Sequence, residues 1–427
     1  MLIHTINQGD TMSTLSQQYQ LDLEHIAIAN GLTSASSLVI GQAIIIPLTA
    51  TVTEHRTNAG ETLADIAQQY GVTISAVQQM NQLHNPALIE VGVPLHIPAI
   101  DKQPLEINAY CEAFSEVGAA LVREASPSLT YLSPFSYLVK ADGTLLAPED
   151  GLLIDSSYEH SLMPMMVITN LHNGTFDSQI THTIFHDNIV QQRLLEQITS
   201  TMLLKGYTAL NVDFEYVLPE DRLAYNQFLR TLTDRLHQHE LLVATSLAPK
   251  TSSQQTGILY EAHDYEAHGQ IVDFVTLMTY EWGWSGGPPR AVAPLNEIVK
   301  VLNYALSVIP ANKIMLGMPL YGYDWSLPYV QGGNWAQPIS SQEAIKRAAT
   351  NNVPIQYDET AQSPYYYYTD EQQKQHIVWF EDARSIQAKL NIAKAHQLRG
   401  LSYWVLGLAC PQNWTLIDNN VTVSKLL

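Results

Sequence analysis

The chain has 427 residues, 46% hydrophobic and 15% charged, which suits a folded protein of two or three domains or one large barrel with additions. Its formal net charge of -20 argues against nucleic acid or an anionic membrane as the main partner, since either would be repelled. The first ten residues lack the basic and apolar regions of an export signal, and no apolar run reaches the roughly 18 residues of a membrane span. Cys111 and Cys410, the only cysteines, are too few for a disulfide framework. They read as small buried side chains, with a bridge left open if the first and last strands of a closed barrel meet.

Residues 4–47 and 55–98 align without a gap at an offset of 51. His4/His55, Gly9/Gly60, Thr11/Thr62, Tyr19/Tyr70, Asn30/Asn81, Gly41/Gly92 and Pro47/Pro98 match. Each copy predicts a short strand, a helix capped by Thr11 or Thr62, a second helix running to Asn30 or Asn81, and a closing strand. Such a β-α-α-β unit is near the lower size limit for folding alone. The Gly-Asp/Glu-Thr start, the Asn-x-Leu after the second helix and the closing Ile-Pro resemble LysM domains, with modules expected at 1–48 and 52–99. The resemblance implies binding of glycans rich in N-acetylglucosamine, in peptidoglycan or chitin. The groove would lie between the strand-to-helix turn (Thr11, Met12, Thr62, Leu63) and the loop after the second helix (Asn30, Asn81). The same positions could equally serve only to cap and pack.

Ala99–Pro104 reads as a linker, and a large domain spans 105–427. Its strand candidates are Leu105–Tyr110, Tyr131–Tyr137, Met163–Asn170, Ala209–Glu215, Leu241–Leu247, Phe274–Tyr280, Ile314–Leu320 and Leu401–Val405. Helical segments between them include 189–205, 220–239, 295–308 and 385–397. This alternation predicts an α/β fold, a (β/α)8 TIM barrel. A small α+β insertion, about 324–382, follows the seventh strand. Within it, Tyr365–Tyr368 reads either as a strand packing rings on both faces or as a sugar-stacking platform.

The fourth strand is the informative one. Leu210, Val212 and Phe214 alternate with Asn211, Asp213 and Glu215, so one face is apolar and the other carries an amide and two carboxylates. An exposed edge strand could tolerate this as a solvated face. A strand covered on both sides could not, unless the acids sit at a strand end. Barrel chemistry collects at C-terminal strand ends, and those ends offer Tyr110, Asn170, Met278, Tyr280, Glu281, Tyr321 and Trp404 beside the acids. Rings stack on sugar faces and carboxylates handle glycosidic oxygens. No cluster of His and Cys at metal spacing, no Gly-x-Ser-x-Gly and no phosphate loop is seen, so neither a metal nor a cofactor is expected.

These strand ends resemble family-18 glycoside hydrolases. That family's fourth-strand signature, Asp-x-x-Asp-x-Asp-x-Glu, is matched here by Thr208-Ala-Leu-Asn211-Val-Asp213-Phe-Glu215, with Thr208 and Asn211 in place of the first two aspartates. Met278-Thr-Tyr280, Gly317-Met-Pro-Leu-Tyr321 and Trp404 also match. Within the family, Met278–Pro289, Trp379–Ser385 and the paired LysM modules resemble bacterial spore enzymes that degrade cortex peptidoglycan fragments. Carboxylates two apart on one strand approach the sugar from one side, unlike a pair that flanks the scissile bond. The resemblance implies that the substrate's 2-acetamido group is the nucleophile. Glu215 is then the acid, Asp213 steers the acetamide and Tyr280 donates to its oxygen. Trp404 forms the floor, and Tyr110, Asn170, Asn211, Met278, Tyr321 and Glu281 complete the substrate site. Asn211 is expected to hydrogen-bond Asp213 and to ease its ionisation by removing a like charge. The expected partner is peptidoglycan or a related glycan, cut after N-acetylglucosamine by a monomer located in the spore, or alternatively in the cell wall. A chitinase, a vegetative-wall autolysin and a non-catalytic lectin are the rival readings.

Overall fold

The computed structural model describes residues 1–427 except 34–35, 48–52, 73, 82, 84–88 and 99–101. The expected module borders at 48, 52 and 99, and the first half of the linker, lie outside the described residues.

Eight parallel strands close into a barrel: β1 (Gln103–Cys111), β2 (Tyr131–Pro134), β3 (Met163–Thr169), β4 (Ala209–Asp213), β5 (Leu242–Leu247), β6 (Phe274–Leu277), β7 (Ile314–Pro319) and β8 (Gly400–Trp404). Closure is made where β8 pairs β1, Leu401 opposite Ile107. β4 pairs β3 on one side and β5 on the other, so it is an interior strand and not a solvated edge. Its apolar face points outward: Phe214 lies 6.0 Å from Phe228 of the helix Arg222–His237. Tyr131, Met165, Ala209, Ala244, Phe274 and Met315 form a buried cluster at the strands' N-terminal ends, so that end is packed core. The polar face of β4 is thereby directed toward the open, C-terminal mouth.

The ladder of β4 ends at Asp213, two residues earlier than the alternation predicts. Its pairing runs out at Asp213 opposite Thr169 and Val212 opposite Thr245, and Glu215 stands beyond it. After β7 comes a five-stranded antiparallel sheet with the helix Ser341–Thr350, and its first strand, Tyr321–Ser326, starts before the expected border at 324. The tyrosine run is a strand with rings on both faces. Tyr366 is fully buried and donates to the Ala344 carbonyl at 2.8 Å, while Tyr365 stacks on Trp379 at 4.5 Å. Cys111 and Cys410 are buried and unbridged.

Both N-terminal units have the expected β-α-α-β plan, with helices Met12–Tyr19, Leu23–Ala29, Leu63–Tyr70 and Ile74–Asn81. The repeated His and Tyr are explained by one network made twice. His4 bonds Tyr19 (2.8 Å) and Asp10 (3.0 Å), and His55 bonds Tyr70 (3.1 Å) and Glu61 (2.8 Å). Neither unit stands apart. Leu2, Met12 and Leu15 share a core with Leu63, Ile66 and Leu95, while Ile3, Ala29, Ala43 and Ile45 join the barrel's core. Sharing of apolar surface is the physical remedy for units too small to bury enough of their own.

Candidate active site

Tyr110, Asp213, Glu215, Met278, Tyr280, Glu281, Tyr321 and Trp404 meet at the barrel mouth around a cavity of about 360 Å³. The aromatic wall is tight: Trp404 lies 5.3 Å from Tyr110 and 4.7 Å from Phe135. A second cavity of about 640 Å³ adjoins the first, sharing Glu215, Met278, Tyr280 and Glu281. Its far wall is the polar segment around Thr251, Ser252, Gln254 and Gln255 with Tyr260 and Trp282. Glu215 therefore stands between an aromatic chamber and a polar one.

Burial dominates the electrostatics. Asp213 is 6% exposed, and loss of water pushes its carboxyl up to about 6, opposed by the Ser246 hydroxyl. Glu215 is raised well above the ordinary glutamate value, first by burial and then by the charges of Asp213 and Glu281. A carboxyl so placed holds its proton to higher pH than an ordinary glutamate. Glu281 accepts from the Tyr323 hydroxyl at 3.0 Å and also from Tyr321; burial raises its pKa and the two hydroxyls oppose that rise. Tyr280 is raised far above the usual tyrosine range, chiefly by burial, so its hydroxyl stays a donor.

The expected Asn211–Asp213 hydrogen bond is not made. The Asn211 amide donates instead to Tyr110 (3.1 Å) and Ser246 (3.0 Å), leaving Asn211 Oδ1 and one Asp213 oxygen buried without protein partners. Tyr110 lies across the barrel interior on β1 and Ser246 on the neighbouring strand β5, an arrangement that period-two reasoning along β4 cannot reveal. Asn211 is fully buried behind the cavity wall, so it tunes the site from beneath the wall. Asn170 likewise is fully buried and does not reach the cavity. Its amide donates to the Glu215 carbonyl (2.9 Å) and accepts from the Glu215 N–H (3.0 Å), replacing the strand ladder that ended at Asp213. His263, held neutral by burial that depresses its pKa to about 4, braces the neighbouring Phe214 carbonyl at 3.0 Å. Thr208 bonds the Pro164 carbonyl at 3.2 Å, at the far end of β4 from the acids. Sequence reasoning missed Ser246, Tyr323 and His263 as contributors; the Tyr321-Gly-Tyr323 alternation was the available signal for Tyr323.

The LysM assignments need correction. Met12 (4% exposed) and Leu63 (1%) are core residues, since each opens an amphipathic helix on its buried side. Asn30 and Asn81 clamp the backbone around them. Asn30 donates to the Ile26 and Ile45 carbonyls and accepts from the Ile45 N–H at 2.7 Å, and Asn81 makes the same set with Val77 and His96. Thr11 and Thr62 are exposed caps whose hydroxyls accept from Thr14 and Asp65 N–H groups. The first module's expected groove rim is also occupied. Gln412 donates to Asn30 Oδ1 (2.7 Å), Gln342 to the Gly31 carbonyl (2.9 Å) and Thr415 to the Ala29 carbonyl (3.0 Å). Any Cβ on Gly31 would lie 2.4 Å from Pro411, so only glycine, at φ +61°, fits this contact.

A closed (β/α)8 barrel with two carboxylates at the mouth of its fourth strand is an architecture suited to a glycoside hydrolase. The chain belongs to the glycosyl hydrolases of family 18, whose pattern matches residues 174–409, and the LysM pattern matches 4–47 and 55–98. It is 46% identical over its full length to 99% of the Bacillus subtilis cortical fragment-lytic enzyme. The Bacillus cereus spore cortex-lytic enzyme SleL has the same architecture, with a TM-score of 0.92 at 41% identity over 100% of both chains. The Bacillus megaterium spore cortex-lytic enzyme SleL gives 0.87 at 40% identity, covering 100% of this chain and 99% of that one.

Proposed function

We propose that the protein hydrolyses the β-1,4 bond after N-acetylglucosamine in spore cortex peptidoglycan fragments, by substrate-assisted retaining catalysis. The observation that carries the reading is Glu215, a carboxyl with a strongly raised pKa between an aromatic chamber and a polar one. The N-acetylglucosamine unit occupies the chamber floored by Trp404, and the leaving sugar the chamber beside Thr251–Gln255. Glu215 protonates the glycosidic oxygen. The acetamido carbonyl attacks the anomeric carbon, while Asp213 accepts from the acetamido N–H and balances the oxazolinium charge. Tyr280 donates to the acetamido oxygen. Glu215, now a base, takes a proton from water as the ring opens with net retention.

This chemistry requires an N-acetylated sugar before the cut, which muramic δ-lactam cannot supply. The relatives named as cortical fragment-lytic and spore cortex-lytic enzymes support the cortex over chitin. Among the described residues no helix is long and apolar enough to cross a membrane. Action in the spore, as a monomer held on glycan by its LysM modules, completes the proposal. Mass spectrometry of digests of defined cortex fragments and of chitin tests it. New reducing ends at N-acetylglucosamine from cortex fragments are expected, and cleavage of chitin alone would remove the cortex reading. The lectin alternative predicts no turnover by the native chain.

A further inference from the structure

Contrary to the absence of metal spacing in the sequence reading, a histidine pair and a buried acid meet outside the catalytic cavity. His182 and His186 lie one turn apart on the helix Ser178–His186, which follows β3. Asp221 closes the short segment that follows β4. His182 Nδ1 is 2.9 Å and His186 Nε2 2.8 Å from the Asp221 carboxylate, and the three ligand atoms lie within 4.8 Å of one another. Asp221 is 1% exposed, whereas the side chains of His182 and His186 are 42% and 53% exposed.

A buried carboxylate needs compensating charge or donors. Here both donors are imidazoles, the side chains best suited to a zinc-type cation. Ligand bonds of about 2.0–2.2 Å in a tetrahedral shell place donor atoms a little over 3 Å apart. The three donor atoms already lie within 4.8 Å of one another, and the two part-exposed imidazoles can turn to reach that spacing. We propose that His182, His186 and Asp221 form a binding site for one zinc-type divalent cation, with water at the remaining, solvent-facing position. Each imidazole presents its bonding nitrogen to the metal and carries its proton on the other nitrogen, and Asp221 binds as the anion.

Such an ion would pin the helix after β3 to the segment after β4, which carries Glu215 near its start. Phe176, stacked with Tyr216 at 6.3 Å, already bridges the same two segments. The role is therefore structural bracing beside the catalytic loop, and it holds whatever glycan the enzyme cuts.

The test is a zinc titration of the full-length chain after chelator treatment, read by calorimetry and by thermal unfolding, with calcium as the control. One saturable zinc site is expected, with an upward shift of the unfolding transition that chelator reverses. His186→Gln, at an exposed position, should weaken binding at least tenfold and abolish the shift, while its unfolding without metal stays near that of the native chain. His182→Gln should do the same, which separates this cluster from the chain's other histidines. No saturable binding, binding by both variants as tight as by the native chain, or a preference for calcium would overturn the assignment.

Discussion

The separation of roles proposed for Asp213 and Glu215 rests on position along a few residues of backbone. Asp213 lies deeper, next to Ser246, and burial pushes its carboxyl up to about 6; Glu215 lies between the negative charges of Asp213 and Glu281, which with burial hold its proton to higher pH than in an ordinary glutamate. The pH profile of kcat/KM should therefore rise as Asp213 ionises and fall as Glu215 loses its proton. Glu281→Gln removes one of the charges holding the Glu215 proton, so its alkaline limb should move to lower pH while the acid limb stays; an unmoved alkaline limb contradicts the assignment. Asp213 also affects stability. A carboxyl raised from 3.8 to about 6 stabilises the fold only while protonated, and that contribution is lost as pH rises through about 6. A shift of this size corresponds to about 3 kcal/mol. Asp213→Asn should thus be inactive yet more stable than the native chain above pH 6, with the gap closing below about pH 4, as chemical denaturation at several pH values would reveal. Glu215→Gln should lose at least a hundredfold in turnover, the lower end of what general acid catalysis contributes, and keep its affinity for glycan.

At the scale of elements, the fourth strand was legible because alternation and burial act on the same residues. What lay beyond the ladder was not. Asn170 lies on β3's own end, and nothing in its sequence context says that its amide substitutes for missing strand pairing at Glu215. Asn170→Ala should lower kcat by about a hundredfold with a smaller change in KM, since misplacement of a reacting group by about 1 Å is that costly; steady-state kinetics on soluble fragments measures both. The LysM repeat teaches a related lesson. Matching of two copies reports what both need, and both need His–Tyr bonds, caps and an asparagine clamp. Asn30 and Asn81 match because they hold the same backbone shape, so their identity carries information on folding. The residues that dock each module differ between copies: Gly31 and Asn30 meet the barrel side in the first, whereas in the second Gln68 meets Gln362 at 2.7 Å.

For the whole molecule, the eight-strand count and the insertion were legible because each βα unit has its own hydrophobic period. The fusion of modules and barrel was not, because contacts such as Gln412 with Asn30 join residues at opposite ends of the chain. Removal of residues 1–98 uncovers the barrel face that Ile3, Ala29, Ala43 and Ile45 now cover. The truncated chain should lose retention on insoluble wall and also unfold several degrees lower, while still cutting soluble fragments if kept below that temperature. An unchanged melting transition would contradict the shared core.

That shared core also changes what the modules do to a long glycan. A LysM unit on a flexible tether lets the catalytic domain sample many bonds around one anchor, with an effective concentration set by tether length. Here the clamp of Gln412 on Asn30, buried on both sides, leaves the first module no independent swing. On the proposed function, a strand gripped by the modules would meet the barrel mouth at a constant offset, as in a caliper. On long strands the fragments should cluster around one length set by the distance from anchor to Glu215, while short soluble fragments, gripped only at the barrel, should show no such spacing.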